Sequence, residues 1–303
     1  MKTINQIAQE IQNVQIYPST TRVEPNDKVT KLTFNFNAET YEELITGDGF
    51  GVIETKRHKK FGEITSSFKI RSIYNEPLTE FDRAVLAVCT SEMCAGNLYT
   101  TPNIIYRGLT GKIGEVAAIP YANQLSAILH SVNKLMGTKY TSKIADAFKI
   151  LGYGDGDFVI KDSMILPAVI VDITVNGQRV ENAIYFDRES PLWILADAKS
   201  QVIRYDANLL NVPNQQNTPM NIMLKNYVCR RVHEIKLHKQ MTPTVTLEDI
   251  FRKTRISDAS RKTKMDARNT VKTFFEHLQT RGAVKSFEFV KRGNQIHAVK
   301  FTF

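Results

Sequence analysis

The chain has 303 residues, 42% hydrophobic and 23% charged, which is long enough for two ordinary domains and too apolar for a disordered chain. Its net charge of +9 is unevenly placed: residues 220–303 carry 18 Lys+Arg against 7 Asp+Glu, a net of +11, and the remainder carries 22 against 24, a net of −2. No apolar run approaches the roughly 20 residues of a membrane span, and MKTINQIAQEIQ lacks the apolar centre of a signal peptide, so a cytoplasmic protein without membrane contact is expected.

Residues 1–76 are predicted to form a β-rich extension, in which KLTFNF and GFGVIETKRHKKFGEITSSFKIRSI supply antiparallel strands. GDGFG, from Gly47, lacks the Lys-Ser/Thr ending of a phosphate loop and reads as a hairpin turn. A first unit then spans 77–213. PLTEFDRAVLAVCTSE has Thr79 and Asp82 in a capping arrangement, with Phe81, Ala84, Val85, Val88 and Cys89 at helical spacing. LYT fits a short strand, and Thr101-Pro102 opens a second helix. YANQLSAILHSVNKLMG predicts a third helix with Leu125, Ile128, Leu129, Val132, Leu135 and Met136 buried. A strand-rich insert follows, containing the hairpin signal Asn176-Gly177. SPLWILADAKSQVIRYDANLL is expected to supply a linker helix, with Trp193 in a core or an interface, and leads to a Pro/Asn/Gln-rich boundary near residue 213.

The unit 214–303 repeats that element order. Thr218-Pro219 opens a helix whose apolar positions are Met220, Met223, Leu224, Tyr227, Val228, Val232 and Ile235. MTPTVT fits one short strand, and Thr246 through Asp249 cap a second helix. In the third helix Ala267, Val271, Phe274, Phe275 and Leu278 form the apolar stripe, and Arg261, Lys264, Arg268 and Lys272 a basic one beside it. Gly282 suits a helix end, and two alternating strands, SFEFVK and QIHAVKF, meet at Gly293. Helix, short strand, helix, helix and hairpin is the plan of a winged helix. The fold class predicted is therefore α+β, two winged-helix domains in tandem, the first enlarged by an antiparallel β insert.

A winged helix with this charge points to double-stranded DNA, although the same charges also fit a solvated face. The candidate readers are Arg261, Lys262, Lys264, Arg268, Asn269 and Lys272 on or beside the third helix; Lys291, Arg292 and Lys300 on the hairpin are expected to hold phosphate. In the first unit Asn123, Gln124, His130, Asn133 and Lys134 lie off the apolar stripe and would enter a second groove, unless that helix serves dimerisation instead.

PLTEFDRAVLAVCTSE, TTPNIIYRGLTGK, LSAILHSVNKLMG, YFDRESPL and NYVCRRVHEIKLHKQ together resemble the replication initiators of bacterial plasmids and related mobile elements, of the tandem winged-helix, iteron-binding kind. The resemblance covers roughly residues 77–303 and leaves 1–76 unexplained. It implies origin recognition through repeated DNA sites, with the first winged helix used for dimerisation and some DNA contact and the second as the main reader. The long insert after the first unit departs from that pattern.

Enzymatic chemistry is not expected. His233 and His238 are five apart, whereas the zinc-protease spacing is four; no His-x-His occurs for a nicking site; and Asp155 and Asp157 lack further calcium-loop ligands. Cys89, Cys94 and Cys229 sit in helical patterns and are expected to be buried thiols. The sequence thus predicts a non-enzymatic, sequence-specific binder of double-stranded DNA with no metal or cofactor, a replication initiator, with direct repeats as target and a homodimer and host replication proteins as further partners. The alternative is a transcriptional repressor of a mobile element, which needs one reading head and a dimer axis to match an inverted repeat.

Overall fold

The computed structural model describes residues 31–35, 52–59, 62–72, 76, 78–144, 158–175, 178–187, 202–237, 242–293 and 295–303. The expectations for GDGFG, Asp155, Asp157, Asn176-Gly177, Trp193 and His238 concern residues outside these.

The first unit begins with α1 (Glu80–Cys94), closed at its start by the predicted capping box: the Asp82 amide donates to Thr79 Oγ1 at 3.2 Å, and the Thr79 amide donates to Asp82 Oδ2 at 2.6 Å. The short strand β4 (Tyr99–Thr100) leads to α2 (Pro102–Thr110), where Thr101 accepts the Ile104 amide and proline occupies the first turn. Gly111 ends α2 at φ 71°, and a Cβ there would collide with the Ala207 carbonyl oxygen and the Asn211 amide. Glycine is needed both for the left-handed turn and for the close approach of the 207–211 backbone. The third helix, α3, is Ala122–Gly137.

After α3 come β5 (Thr138–Ile144), β6 (Phe158–Met164), β7 (Ala168–Val175) and β8 (Gln178–Phe186). Upstream lie β1 (Lys31–Asn35), β2 (Val52–Lys59) and β3 (Gly62–Ser72). β2, β3, β5 and β6 join in that order in one antiparallel sheet, so two strands of the N-terminal extension and the first two of the insert share one layer. β7 and β8 form a hairpin, with Val175 opposite Gln178, and β8 pairs in turn with β4. β9 (Val202–Asp206) pairs with β1 and runs into a 3-10 turn, Ala207–Leu210.

The C-terminal unit comprises α4 (Pro219–Leu237), β10 (Thr244–Thr246), α5 (Leu247–Lys253), α6 (Arg261–Thr280), β11 (Ser286–Arg292) and β12 (Gln295–Thr302). Thr218, Thr246 and Ser260 cap the three helices in turn through hydrogen bonds from the amides of Asn221, Asp249 and Thr263. Its sheet has the order β10, β12, β11, and the first unit's has the order β4, β8, β7. In both, the short strand after the first helix pairs with the second strand of the hairpin. The two units therefore share a strand order as well as an element order, and the chain as a whole mixes helices with small antiparallel sheets.

One contiguous apolar core includes residues of α1, α2, α3, the 207–212 segment, α4, α5, α6 and β12, so it runs across the loop that holds residue 213. Phe274, Phe275 and Phe301 are fully buried, each worth about 1.5–3 kcal/mol of transfer free energy. α4 packs against both α1 and α6 and is enclosed nearly all round. That enclosure takes charged side chains inside, where each is paired. Arg230 binds Glu80 of α1 at 3.1 Å and Glu234 of α4, and lies over the Tyr227 ring; Arg83 binds Glu80 at 3.3 Å. Lys225 donates to the Leu210 carbonyl at 2.9 Å and to Asn217 Oδ1 at 2.8 Å, and Asn226 donates to the Leu109 carbonyl.

Two expectations about burial are corrected. Leu125, expected inside, is 36% exposed because α3 turns Gln124, Ile128, Ser131, Val132 and Leu135 inward. Cys94 is exposed at the end of α1, whereas Cys89 and Cys229 are buried.

Candidate nucleic-acid interface

The hairpin and the helices of the C-terminal unit are set by register. β10 runs antiparallel to β12 with Thr244 opposite Lys300 and Thr246 opposite Ala298, so it heads toward the hairpin tip before handing the chain to α5. The tip and the start of α5 thus lie at one end of the sheet. α6 is held to the sheet by Phe275, whose ring centroid is 5.9 Å from Phe287 and 5.7 Å from Phe301. At the tip Arg292 pairs with Gln295, Gly293 takes φ 59°, and a bulge between Val290 and Lys291 twists the strand end. Lys291 and Arg292 are both exposed there, and among the described residues neither has an ion-pair partner.

The candidate residues of α6 differ in freedom. Arg261, Lys262, Asn269 and Lys272 are exposed, and Lys264 is half-buried. Arg268 is also half-buried: its guanidinium lies 5.3 Å from the Phe251 ring centroid, and its Nε is buried without a hydrogen-bond partner. Lys272 lies 3.9 Å from Glu276, with both side chains half exposed, and Lys300 lies 3.6 Å from Glu288 across the hairpin. Such exposed pairs are weak and leave the ammonium available to another anion. Exposed Arg255, Arg281 and Lys285 were not singled out by pattern, since they sit in turns where helical spacing gives no signal.

Solved structures of domains 2 and 3 of RctB are similar to this chain. A selenomethionine derivative is 10% identical, with a TM-score of 0.42, and the match covers 92% of this chain and 98% of that one. A second crystal structure of the same domains is 8% identical, with a TM-score of 0.38, and covers 84% and 92%. No protein-family model and no curated protein matches the sequence.

The first unit's candidates are placed differently from expectation, and two are corrected outright. Lys134 is buried and ion-paired at 2.8 Å to Asp82, the same carboxylate that closes the cap of α1, so its charge is spent inside the protein. Gln124 is buried; its Oε1 accepts the Tyr121 amide and its Nε2 donates to the Asn217 carbonyl. Neither reaches the surface. His130 is exposed but lies 3.0 Å from Glu76, whose carboxyl it holds below the usual range. Asn133 is half-buried, and exposed Asn123 accepts the Gln124 amide. The face of α3 therefore offers no free lysine or arginine among these positions.

Among the described residues no group of three or more His, Cys, Asp or Glu is arranged to hold a metal, and no helix is long and apolar enough to cross a membrane. His233 lies against the Tyr205 ring, its Nδ1 2.8 Å from the Cys229 carbonyl, and burial lowers its pKa.

Proposed function

We propose that the chain is a tandem winged-helix protein that binds double-stranded DNA sequence-specifically at a replication origin and initiates replication without cutting the strand. The observation that carries the DNA reading is the +11 unit in which a 20-residue helix with a cationic border packs against a hairpin whose tip carries two exposed cations. A helix of that kind fits a major groove, and the tip cations suit phosphates beside it. Two units with one strand order on a single chain match the tandem plan that the sequence resemblance implies for an initiator, in which the second unit is the main reader and the first serves dimerisation. Reading is assigned to the C-terminal unit, because α3 spends Lys134 and Gln124 internally. A homodimer and host replication proteins belong to the proposal as partners, and a plasmid or related mobile element as the setting.

The test places the gene with its flanking DNA on a replicon lacking an origin. Replication in a competent host, with full-length protein protecting direct repeats about 10–10.5 bp or a multiple apart, is the expected result. Failure to replicate, together with protection of an inverted repeat over the gene's own promoter, would instead establish the repressor.

A further inference from the structure

The centre of the outer face of α6 carries two uncharged side chains, Met265 and Asn269, beside Lys262 and Glu276. At about 100° per residue, Lys262, Met265, Asn269 and Glu276 lie opposite buried Ala267, Phe274 and Leu278, while Arg261, Lys264, Arg268 and Lys272 run along one border. Met265 is 53% exposed, and Asn269 is exposed with no hydrogen-bond partner among the described residues. Exposed Asp266 stands on the other border, where it repels phosphate. Phosphate contact is thereby favoured along the cationic border and at Lys262, and the two uncharged side chains at the centre gain little from a phosphate.

Base edges reward both of them. An asparagine amide matches adenine N6 and N7 in a bidentate pair, and an apolar side chain meets the thymine C5-methyl group; both edges lie in the major groove. Met265 and Asn269 are one turn apart, about 6 Å along the helix, and base pairs rise about 3.4 Å, so the two side chains address pairs no more than about two steps apart. We infer that the centre of α6 reads A·T pairs, with Asn269 taking an adenine and Met265 covering a thymine methyl. This rests on the DNA-binding reading above and changes one role within it. Arg268, pinned over Phe251, positions the helix on phosphate and does not select a base.

The experiment uses the full chain. A bound duplex is first selected from a random pool; each thymine is then replaced singly by uracil, which lacks the methyl, and each adenine by 7-deazaadenine, which lacks N7. Wild type is expected to lose about threefold in affinity at one uracil position and about tenfold at one 7-deazaadenine position. Met265→Ala should abolish only the first sensitivity and Asn269→Ala only the second, with binding to random duplex retained by both. Indifference of wild type to every replacement, or unchanged sensitivity in the two variants, overturns the inference while leaving duplex binding intact. A pool that yields no enriched sequence overturns the DNA-reading proposal itself, and the inference with it.

Discussion

Replacing Arg230 with methionine removes the cation on which the buried network of α1 and α4 converges. Its guanidinium is 3.1 Å from Glu80 and also pairs with Glu234, and the Arg230, Glu80 and Glu234 side chains are all nearly inaccessible. At an effective dielectric of about 20, each contact near 3 Å is worth about 5 kcal/mol of Coulomb attraction, most of which offsets the several kcal/mol spent desolvating each ion. Removing one partner loses the attraction and keeps the desolvation. Glu80 retains Arg83 at 3.3 Å, but Glu234 is left with Arg231, whose side chain is 32% exposed. The expected loss is about 3–5 kcal/mol. With a urea slope of about 2–3 kcal/mol/M, the unfolding midpoint followed by circular dichroism should fall by about 1–2.5 M. The pH profile supplies a second check. Burial pushes the Glu234 pKa up, yet Arg230, Arg83 and Arg231 outweigh it and hold the pKa below the usual value of 4.5. Wild type therefore gains stability from this group above about pH 4.5 and loses it as pH falls through the lower folded value. Arg230→Met should shrink that acid-side loss. A change in stability below about 1 kcal/mol would refute the reasoning, since it would mean that water already solvates the network.

At the hairpin tip, Arg292→Ala should weaken binding to all duplexes alike and flatten the dependence of log affinity on log salt by about 0.9, measured by anisotropy titrations at several salt concentrations; a loss restricted to one sequence would make Arg292 a reader. Glu92 gives a pH effect of opposite sign to Glu234. Burial raises its pKa to about 7, with the Asn97 amide and the Arg107 charge opposing in part. Between about pH 4.5 and 7 the folded chain holds a proton that the unfolded chain has lost, so stability falls as pH rises through that window, by up to about 1.4 kcal/mol per unit. Glu92→Gln should remove that slope from urea unfolding measured across the window, and an unchanged slope would assign it to other groups.

The elements legible in the sequence were those fixed by neighbours a few positions apart. Thr79 with Asp82, Thr246 with Asp249, and Pro102 and Pro219 in first turns all marked helix starts that the structure contains. The stripe from Ala267 to Leu278 is buried as its spacing required. Distant pairings left no such mark. Lys134 read as a surface cation because its partner Asp82 is 52 positions away, and the pairing of Arg230 with Glu80, 150 positions apart, left no local sign. Periodicity also cannot separate adjacent angular positions when a polar side chain has a reason to turn inward. Gln124 does so to hold the start of its own helix and the Asn217 carbonyl, which pushes Leu125 outward. The pairing of β3 with β5, Ser66 opposite Ile144, was likewise invisible, since nothing in Thr138–Ile144 marked it as a strand.

α4 is a wall common to two rooms. Because its sides are occupied by α1 and α6, and because Lys225, Asn226 and Arg230 each bond to a group outside the helix, it cannot roll about its axis without breaking contacts on both sides. The angle between the two units is thereby fixed in the fold instead of being left to a tether. If the second unit grips a duplex as proposed, whatever meets the first unit is held at one azimuth around it. Moving a neighbouring site by half a helical turn would carry it to the far side of the DNA, and the joint offers no slack to follow it.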